Sequence, residues 1–337
     1  MPKFLKLTPE TFGLDISDAS IRIVKLEKKG NHFALSSYGE AELKSGIIRR
    51  GRIRDEEALS LSIKEAVSNV SGEKLKTKYV VASLPEEKSF IQVIEMPKMR
   101  EEELKSAVIF ESENYIPLPI QDVYLDFQVI PSLTPENHFD ILIAAMPKEI
   151  VDAYVSSLKK AGLFPLALEI ESLAIARALM KGNETETLLI DLGEIRTCFV
   201  IYSNNSIRFT SSIPMSSEDF IKAARRKENI SESLMPILAD LVSEIKKHLN
   251  YYESHEFYEH LKERKIKKIV LCGEGVNLRG LAEFLKKGLE IDVVAGNPFL
   301  SLMNSKEKKV LNMSISKSLG YTTAFGLSMY SFKINER

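Results

Sequence analysis

Cysteine is scarce: this chain of 337 residues has two, Cys198 and Cys272. Two thiols make no disulfide framework. Both sit in apolar runs, so each reads as a small buried hydrophobe in a reducing compartment. Histidine is also sparse. None of His32, His138, His248, His255 and His260 stands at zinc spacing from a cysteine, and the group His248, His255 and His260 reads as a polar helix end rather than a metal site. Long apolar runs are missing. The longest, Ile141 to Met146, has strand length and falls far short of the ~18 residues that span a bilayer. The start, Met1 to Leu7, lacks the apolar core of a signal peptide. The expectation is a cytoplasmic protein, held at any membrane by something else. Nor does one charge dominate: 46 Lys+Arg face 47 Asp+Glu, for a net charge of -1. That removes a long-range pull toward nucleic acid or acidic membranes.

What is present is ordinary globular composition, 44% hydrophobic and 28% charged. The length suits roughly two domains at about 150 residues each. The opening reads as strand, turn, strand, turn, strand: Phe12 to Ile16, then Ile21 to Leu26, then Phe33 to Tyr38. A helical stripe follows (Leu59, Ile63, Ala66, Val67, Val70) with Asp55 as N-cap, then a buried strand at Tyr79 to Leu84. Residues 85–165 read as a small α+β module of strand, helix, strand, strand, helix, and Leu168 to Leu179 as a further helix. The opening pattern then returns. Leu188 to Leu192 is a strand carrying Asp191, followed by turn, strand (Thr197 to Tyr202), turn and strand (Ser206 to Ser211). A repeat of strand-Asp-turn-strand-turn-strand marks a duplicated architecture. Leu234, Leu238, Leu241, Val242, Ile245, Leu249 and Tyr252 form the longest helical stripe, and Lys268 to Cys272 a strand leading into Gly273-Glu274-Gly275.

Two such hairpin turns can hold phosphate oxygens on their N–H groups. Two aspartates can hold water around Mg²⁺, and a glycine turn before a helix lets a nucleotide approach the backbone. Four segments carry a resemblance to a known family: Gly13-Leu14-Asp15-Ile16 through Lys25; Glu113 to Pro119 with Val123 to Phe127; Leu189 to Gly193; and Leu271 to Leu281 followed by Asn297-Pro298-Phe299. In this order they resemble the actin-like ATPase superfamily, and most closely the PilM family of type IV pilus assembly proteins. The resemblance implies an α/β, two-lobed actin-like ATPase fold with duplicated RNase H-like cores. Residues 1–84, completed by 166–186 and 316–337, would form the first-lobe core, and 85–165 its α+β insert. Residues 187–215 and 266–315 would form the second core, with 216–265 a shortened insert.

The resemblance further implies a cytoplasmic scaffold, peripheral at the inner membrane. It would bind the N-terminal tail of a PilN-like single-span protein in a groove with Tyr115, Ile116, Pro117 and Phe127 as candidates. It allows self-association and gives no reason to expect nucleic acid. Asp15, Ser17, Arg22, Asp191, Gly193, Gly273 and Gly275 would contact ATP, with Asp15 and Asp191 holding Mg²⁺ if nucleotide binds. Several residues depart from the family pattern. Ser17 replaces a glycine, Asp18 adds a negative charge, Arg22 replaces a lysine, Glu194 and Ile195 replace small hydroxyl residues, and Met215-Ser216-Ser217 stands where glycines usually close on nucleotide. Two like charges about 4 Å apart cost on the order of 4 kcal/mol at an effective dielectric of about 20, roughly a thousandfold in affinity. Both states of the site, retained and lost, stay open, and the departures weigh against hydrolysis. Glu169 and Glu171 are candidate water-orienting acids, or simply helix N-terminal charge. The alternatives are an active ATPase or an FtsA-like cell-division protein. The short tail Tyr330 to Arg337 argues against the second, since FtsA ends in an amphipathic membrane helix.

Overall fold

The computed structural model describes residues 9–29, 32–132, 138–182, 185–217, 219–220, 230–254, 265–301 and 313–334. In chain order the elements begin with β1 (Phe12–Ile16), β2 (Ser20–Lys29), β3 (His32–Glu42), β4 (Ile48–Arg49), β5 (Arg52–Ile53), α1 (Glu56–Ser68), β6 (Ser71–Gly72) and β7 (Tyr79–Leu84). Next come β8 (Phe90–Pro97), α2 (Glu101–Ser112), β9 (Val123–Ile130), β10 (His138–Pro147), α3 (Lys148–Lys160), β11 (Phe164–Ile170) and α4 (Glu171–Leu179). The remainder is β12 (Thr187–Leu192), β13 (Thr197–Ser203), β14 (Ser206–Ile213), α5 (Ile230–Ser254), β15 (Lys268–Cys272), α6 (Leu281–Leu289), β16 (Asp292–Ala295), α7 (Ile315–Leu319) and α8 (Thr322–Ile334).

The chain divides into two compact units. One holds Met1–Lys88, Lys148–Met180 and Asn297–Arg337; the other holds Ser89–Pro147 and Lys181–Gly296. The first is built on a six-stranded sheet of order β11-β7-β1-β2-β3-β6, the second on a five-stranded sheet of order β14-β13-β12-β15-β16. The expected duplication is in these orders. β1 pairs antiparallel with β2 and parallel with β7. β12 likewise pairs antiparallel with β13 and parallel with β15. Antiparallel neighbours follow short turns, whereas each parallel partner needs a longer crossover.

Local chemistry sets the helices. Asp55 caps α1 by accepting the Ala58 N–H at 2.9 Å, and Glu56 and Glu57 place negative charge in its first turn. The stripe expected on α5 is buried as read: Leu234, Leu238, Leu241, Ile245, Leu249 and Tyr252 pack with Leu188, Phe199 and Leu271 of the second sheet. On the first sheet, α8 contributes Phe325 and Met329 to a cluster with Val24, Leu26 and Leu35.

The inserted module, expected over 85–165 as an insert of the first lobe, covers Ser89–Pro147 and groups with the second unit. Its sheet has the order β8-β10-β9 and is covered by α2 through Leu104 and Val108 against Ile94, Met96, Ile141 and Ile143. For the segment after it the sequence pattern predicts a helix that closes the module and a second helix from Leu168. In the structure β11 begins at Phe164 and pairs in parallel with β7, so α3 and β11 complete the first unit's sheet layer instead of the module. Residues from Asn297, read as second-lobe core up to 315, also group with the first unit. Within the second unit a buried ion pair ties the module to the five-stranded sheet. Arg208 of β14 donates from Nη1 to Asp140 Oδ2 of β10 at 2.8 Å, and its Nη2 donates to the Pro131 carbonyl. Within 216–265, where the shortened second insert is expected, the structure describes α5, and 221–229 and 255–264 lie outside the described residues.

Candidate functional site

The first turn follows β1. Asp15, almost buried, faces Arg22 across the β1–β2 register, and Arg22 faces Glu40 across β2–β3. The Arg22 Nε donates to Glu40 Oε1 at 2.9 Å, and its guanidinium lies 5.9 Å from the Tyr321 ring centre. Tyr321 donates its hydroxyl to Glu40 Oε2 at 3.2 Å. Burial, with the Glu40 charge added, pushes that phenol well above its ordinary pKa, so it stays a donor. The charge expected to meet a phosphate is therefore matched within its own unit by a carboxylate. Sequence reading missed Glu40. The signal was cross-strand register, obscured because a bulge between Lys25 and Leu26 shifts the pairing by one residue.

Ser17 turns inward on its own loop. Its N–H donates to the Ser20 carbonyl at 2.9 Å, while its Oγ accepts the Ser20 N–H at 2.9 Å. Asp18 departs from expectation. Its residue type predicts a charge that repels phosphate, but the carboxylate accepts the backbone N–H groups of Arg50 at 2.5 Å and Gly51 at 2.9 Å. The acid thus closes the β4–β5 hairpin, a long-range pairing invisible to a local reading.

The second turn follows β12. Asp191 has Cys198 of β13 and Cys272 of β15 as its register partners, and the Cys272 thiol donates to Asp191 Oδ1 at 3.6 Å. The Gly193 carbonyl accepts the Ser217 N–H at 2.8 Å. Gly273 has φ +85, and a Cβ there would come within 2.4 Å of Asp191 Oδ1 and 2.6 Å of the Leu192 carbonyl carbon. A Cβ on Gly275 would meet Leu192 Cβ at 2.8 Å and Ser217 Cβ at 3.2 Å. Close packing of the turn on β12 is enough to require both glycines. Asp15 and Asp191 belong to different units, and each offers a hard carboxylate of the kind Mg²⁺ takes.

Glu169 forms an ion pair with Arg177, which also donates to the Gly326 carbonyl at 2.9 Å. Glu171 accepts the Glu86 N–H at 3.1 Å, and Glu86 in turn accepts the Ser172 N–H at 3.4 Å. Both acids have structural partners in the first unit. His248 stacks on Phe199 with ring centres 4.5 Å apart and hydrogen-bonds Ser211 Oγ at 2.9 Å, pinning α5 to the sheet. His255 and His260 lie outside the described residues.

The groove candidates separate into two kinds. Tyr115 and Pro117 are exposed. Ile116 is 6% exposed and packs with Val123 and Ala145, while Phe127 is half-buried in the cluster beneath α2. The turn after α2 is set by backbone: Tyr115 and Ile116 both donate to the Ser112 carbonyl, at 3.1 and 3.0 Å, and Pro117 prevents continuation.

Comparison with known proteins gives this arrangement a family. The model of the type IV pilus assembly protein PilM family matches residues 13–215 and 217–332. The chain is similar to a structure described as the PilM-PilN type IV pilus biogenesis complex, with 24% identity and a TM-score of 0.80 over 96% of this chain and 98% of that one. It is also similar to the ethanolamine utilization protein EutJ from Carboxydothermus hydrogenoformans, at 14% identity and TM-score 0.50, over 96% of this chain and 91% of that one. A third structure, MreB5 of Spiroplasma citri bound to ADP, is 13% identical with a TM-score of 0.51, over 97% of this chain and 98% of that one. With its two sheets of matching strand order, the chain has the actin-like ATPase fold and belongs to the type IV pilus assembly protein PilM family.

Proposed function

We propose that this chain serves type IV pilus assembly as a scaffold. It binds the short N-terminal tail of a PilN-like single-span inner-membrane protein and has lost most of the nucleotide affinity of its fold. The observation that carries the reading is the family match from residue 13 to residue 332, joined by likeness across 98% of a protein described in a PilM-PilN complex. Among the described residues no helix is long and apolar enough to cross a membrane, so a membrane-embedded partner supplies the attachment.

The loss of nucleotide affinity is supported by the state of the first turn. The Ser17 N–H and hydroxyl are engaged in the turn itself, and Arg22 is paired with Glu40. An incoming phosphate would have to break these hydrogen bonds and displace a carboxylate, so the free-energy gain from binding it is small.

Tyr115 and Pro117 offer the tail an exposed aromatic and a rigid turn, and Ile116 anchors that turn on Val123 and Ala145, while Phe127 lies in the cluster under α2. A synthetic partner tail titrated into the purified chain is expected to bind with saturable heat. Tyr115→Ala is expected to weaken it about tenfold, the scale of losing one aromatic contact worth ~1.4 kcal/mol, with an unchanged melting temperature. Unaltered affinity would remove Tyr115 from the groove, and no binding by the unmodified chain would refute the scaffold reading. Ile116→Asp is unsuitable for this purpose, because it puts a charge into the module's core.

A further inference from the structure

The β4–β5 hairpin carries Arg49, Arg50, Arg52 and Arg54, all exposed. Arg52 pairs with Glu149 at 2.7 Å. Among the described residues Arg49, Arg50 and Arg54 form no ion pair. Two local rules are broken to present them. Arg49 and Arg52 are direct cross-strand partners, where like charges are destabilising. Arg50 and Gly51 both have positive φ, +50 and +69, the signature of a type I′ turn that favours Asn-Gly; an arginine fits the first of these positions poorly. The hairpin is nonetheless held firmly. Asp18 accepts both turn N–H groups, Tyr154 donates to the Gly51 carbonyl at 3.4 Å, and the Arg54 N–H donates to the Ile47 carbonyl at 2.8 Å. Unfavourable residue choices on a rigid frame point to a use outside the fold.

We propose that this hairpin is a docking surface for the phosphate headgroups of an anionic membrane leaflet. The hairpin presents charge with little apolar surface: Ile47 and Ile48 are buried and Ile53 is half-buried. A protein partner would look for a desolvated apolar centre within its patch, whereas a headgroup layer asks only for exposed cations. Guanidinium groups match phosphate oxygens bidentately. The net charge of -1 supplies no overall attraction, so contact depends on this local cluster. It would orient a chain already held near the membrane, since a few cations give only weak attachment alone. This goes beyond the tail-binding reading and is measured without the tail, so either can fail alone.

The test is co-sedimentation of the full chain with vesicles of equal parts phosphatidylglycerol and phosphatidylcholine, and with phosphatidylcholine alone. At low salt the chain is expected to bind the anionic vesicles only, and to be released as salt screens the contact. The variant Arg49→Gln, Arg50→Asn, Arg54→Gln is expected to lose on the order of 100-fold in binding, roughly fivefold per cation near the surface. Its melting temperature should be equal or higher, because Asn suits the turn better than Arg. Failure of the unmodified chain to bind anionic vesicles would overturn the proposal. So would a variant that binds as tightly, or binding to poly-glutamate without binding to vesicles, which would assign the patch to an acidic protein.

Discussion

Gly326→Ala is expected to destabilise the first unit by about 3 kcal/mol, the upper range for overpacking a core, read as a lowered urea midpoint. A Cβ on Gly326 of α8 would lie 1.8 Å from the Ala174 carbonyl oxygen of α4 and 2.4 Å from its carbon. The obstacle is backbone within a helix, so it cannot rotate aside as a side chain would. The opposite contact of α8 is also too close for a methyl: a Cβ on Gly13 of β1 would meet the Ala324 carbonyl oxygen at 2.3 Å and the Ser328 nitrogen at 2.6 Å. The helix thus packs between β1 and α4 with no room for a methyl on either side, and moving it would strain the strand that carries Asp15. Gly288→Ala is the control. It sits in α6, where the nearest atom is a Val242 methyl at 3.3 Å, and an alanine gains up to about 1 kcal/mol of helix propensity there. A Gly326→Ala chain as stable as the control would show that the α4–α8 contact is looser than its geometry.

Arg208→Met is expected to cost the second unit about 3–5 kcal/mol, the usual penalty for leaving one buried charge without its partner. The Arg208 side chain is 0% exposed and that of Asp140 6%. Removing the guanidinium leaves the Asp140 carboxylate desolvated, with His138 Nε2 at 3.0 Å as a remaining partner. It also frees the Pro131 carbonyl, which Asn204 reaches only at 3.3 Å. The double variant Asp140→Leu, Arg208→Met should recover much of the loss, because neither charge is then stranded. Equal destabilisation in the single and double variants would mean that packing of the arginine stem, not charge pairing, holds the module to β14.

The fold was legible wherever a local pattern carries it. Apolar strands bearing Asp15 and Asp191, each followed by two hairpin turns, gave the duplication, and the α5 stripe gave the second unit's covering helix. β11 was hidden because Phe164 to Ile170 runs directly into α4. Its Leu168 and Ile170 continue a helix-like apolar spacing, and only pairing with β7 makes the segment a strand. The candidate site was half legible. Residue types and order identified the turns, but their state depends on partners far away in sequence: Asp18 on Arg50, 32 positions on, and Arg22 on Glu40 through a bulged register. No local rule distinguishes an acid that repels phosphate from one that closes a neighbouring hairpin. The exposed arginines escaped notice for the opposite reason, since a whole-chain charge balance averages a local cluster away.

The most direct measurement is calorimetric titration of Mg²⁺ and ATP into the purified chain, beside a titration of the partner tail without nucleotide. With the first turn closed on itself and Arg22 paired to Glu40, the expected result is no saturable ATP binding in the micromolar range and full tail binding in its absence. Micromolar ATP binding that Asp15→Asn abolishes, with tail affinity appearing only once nucleotide is bound, would contradict it.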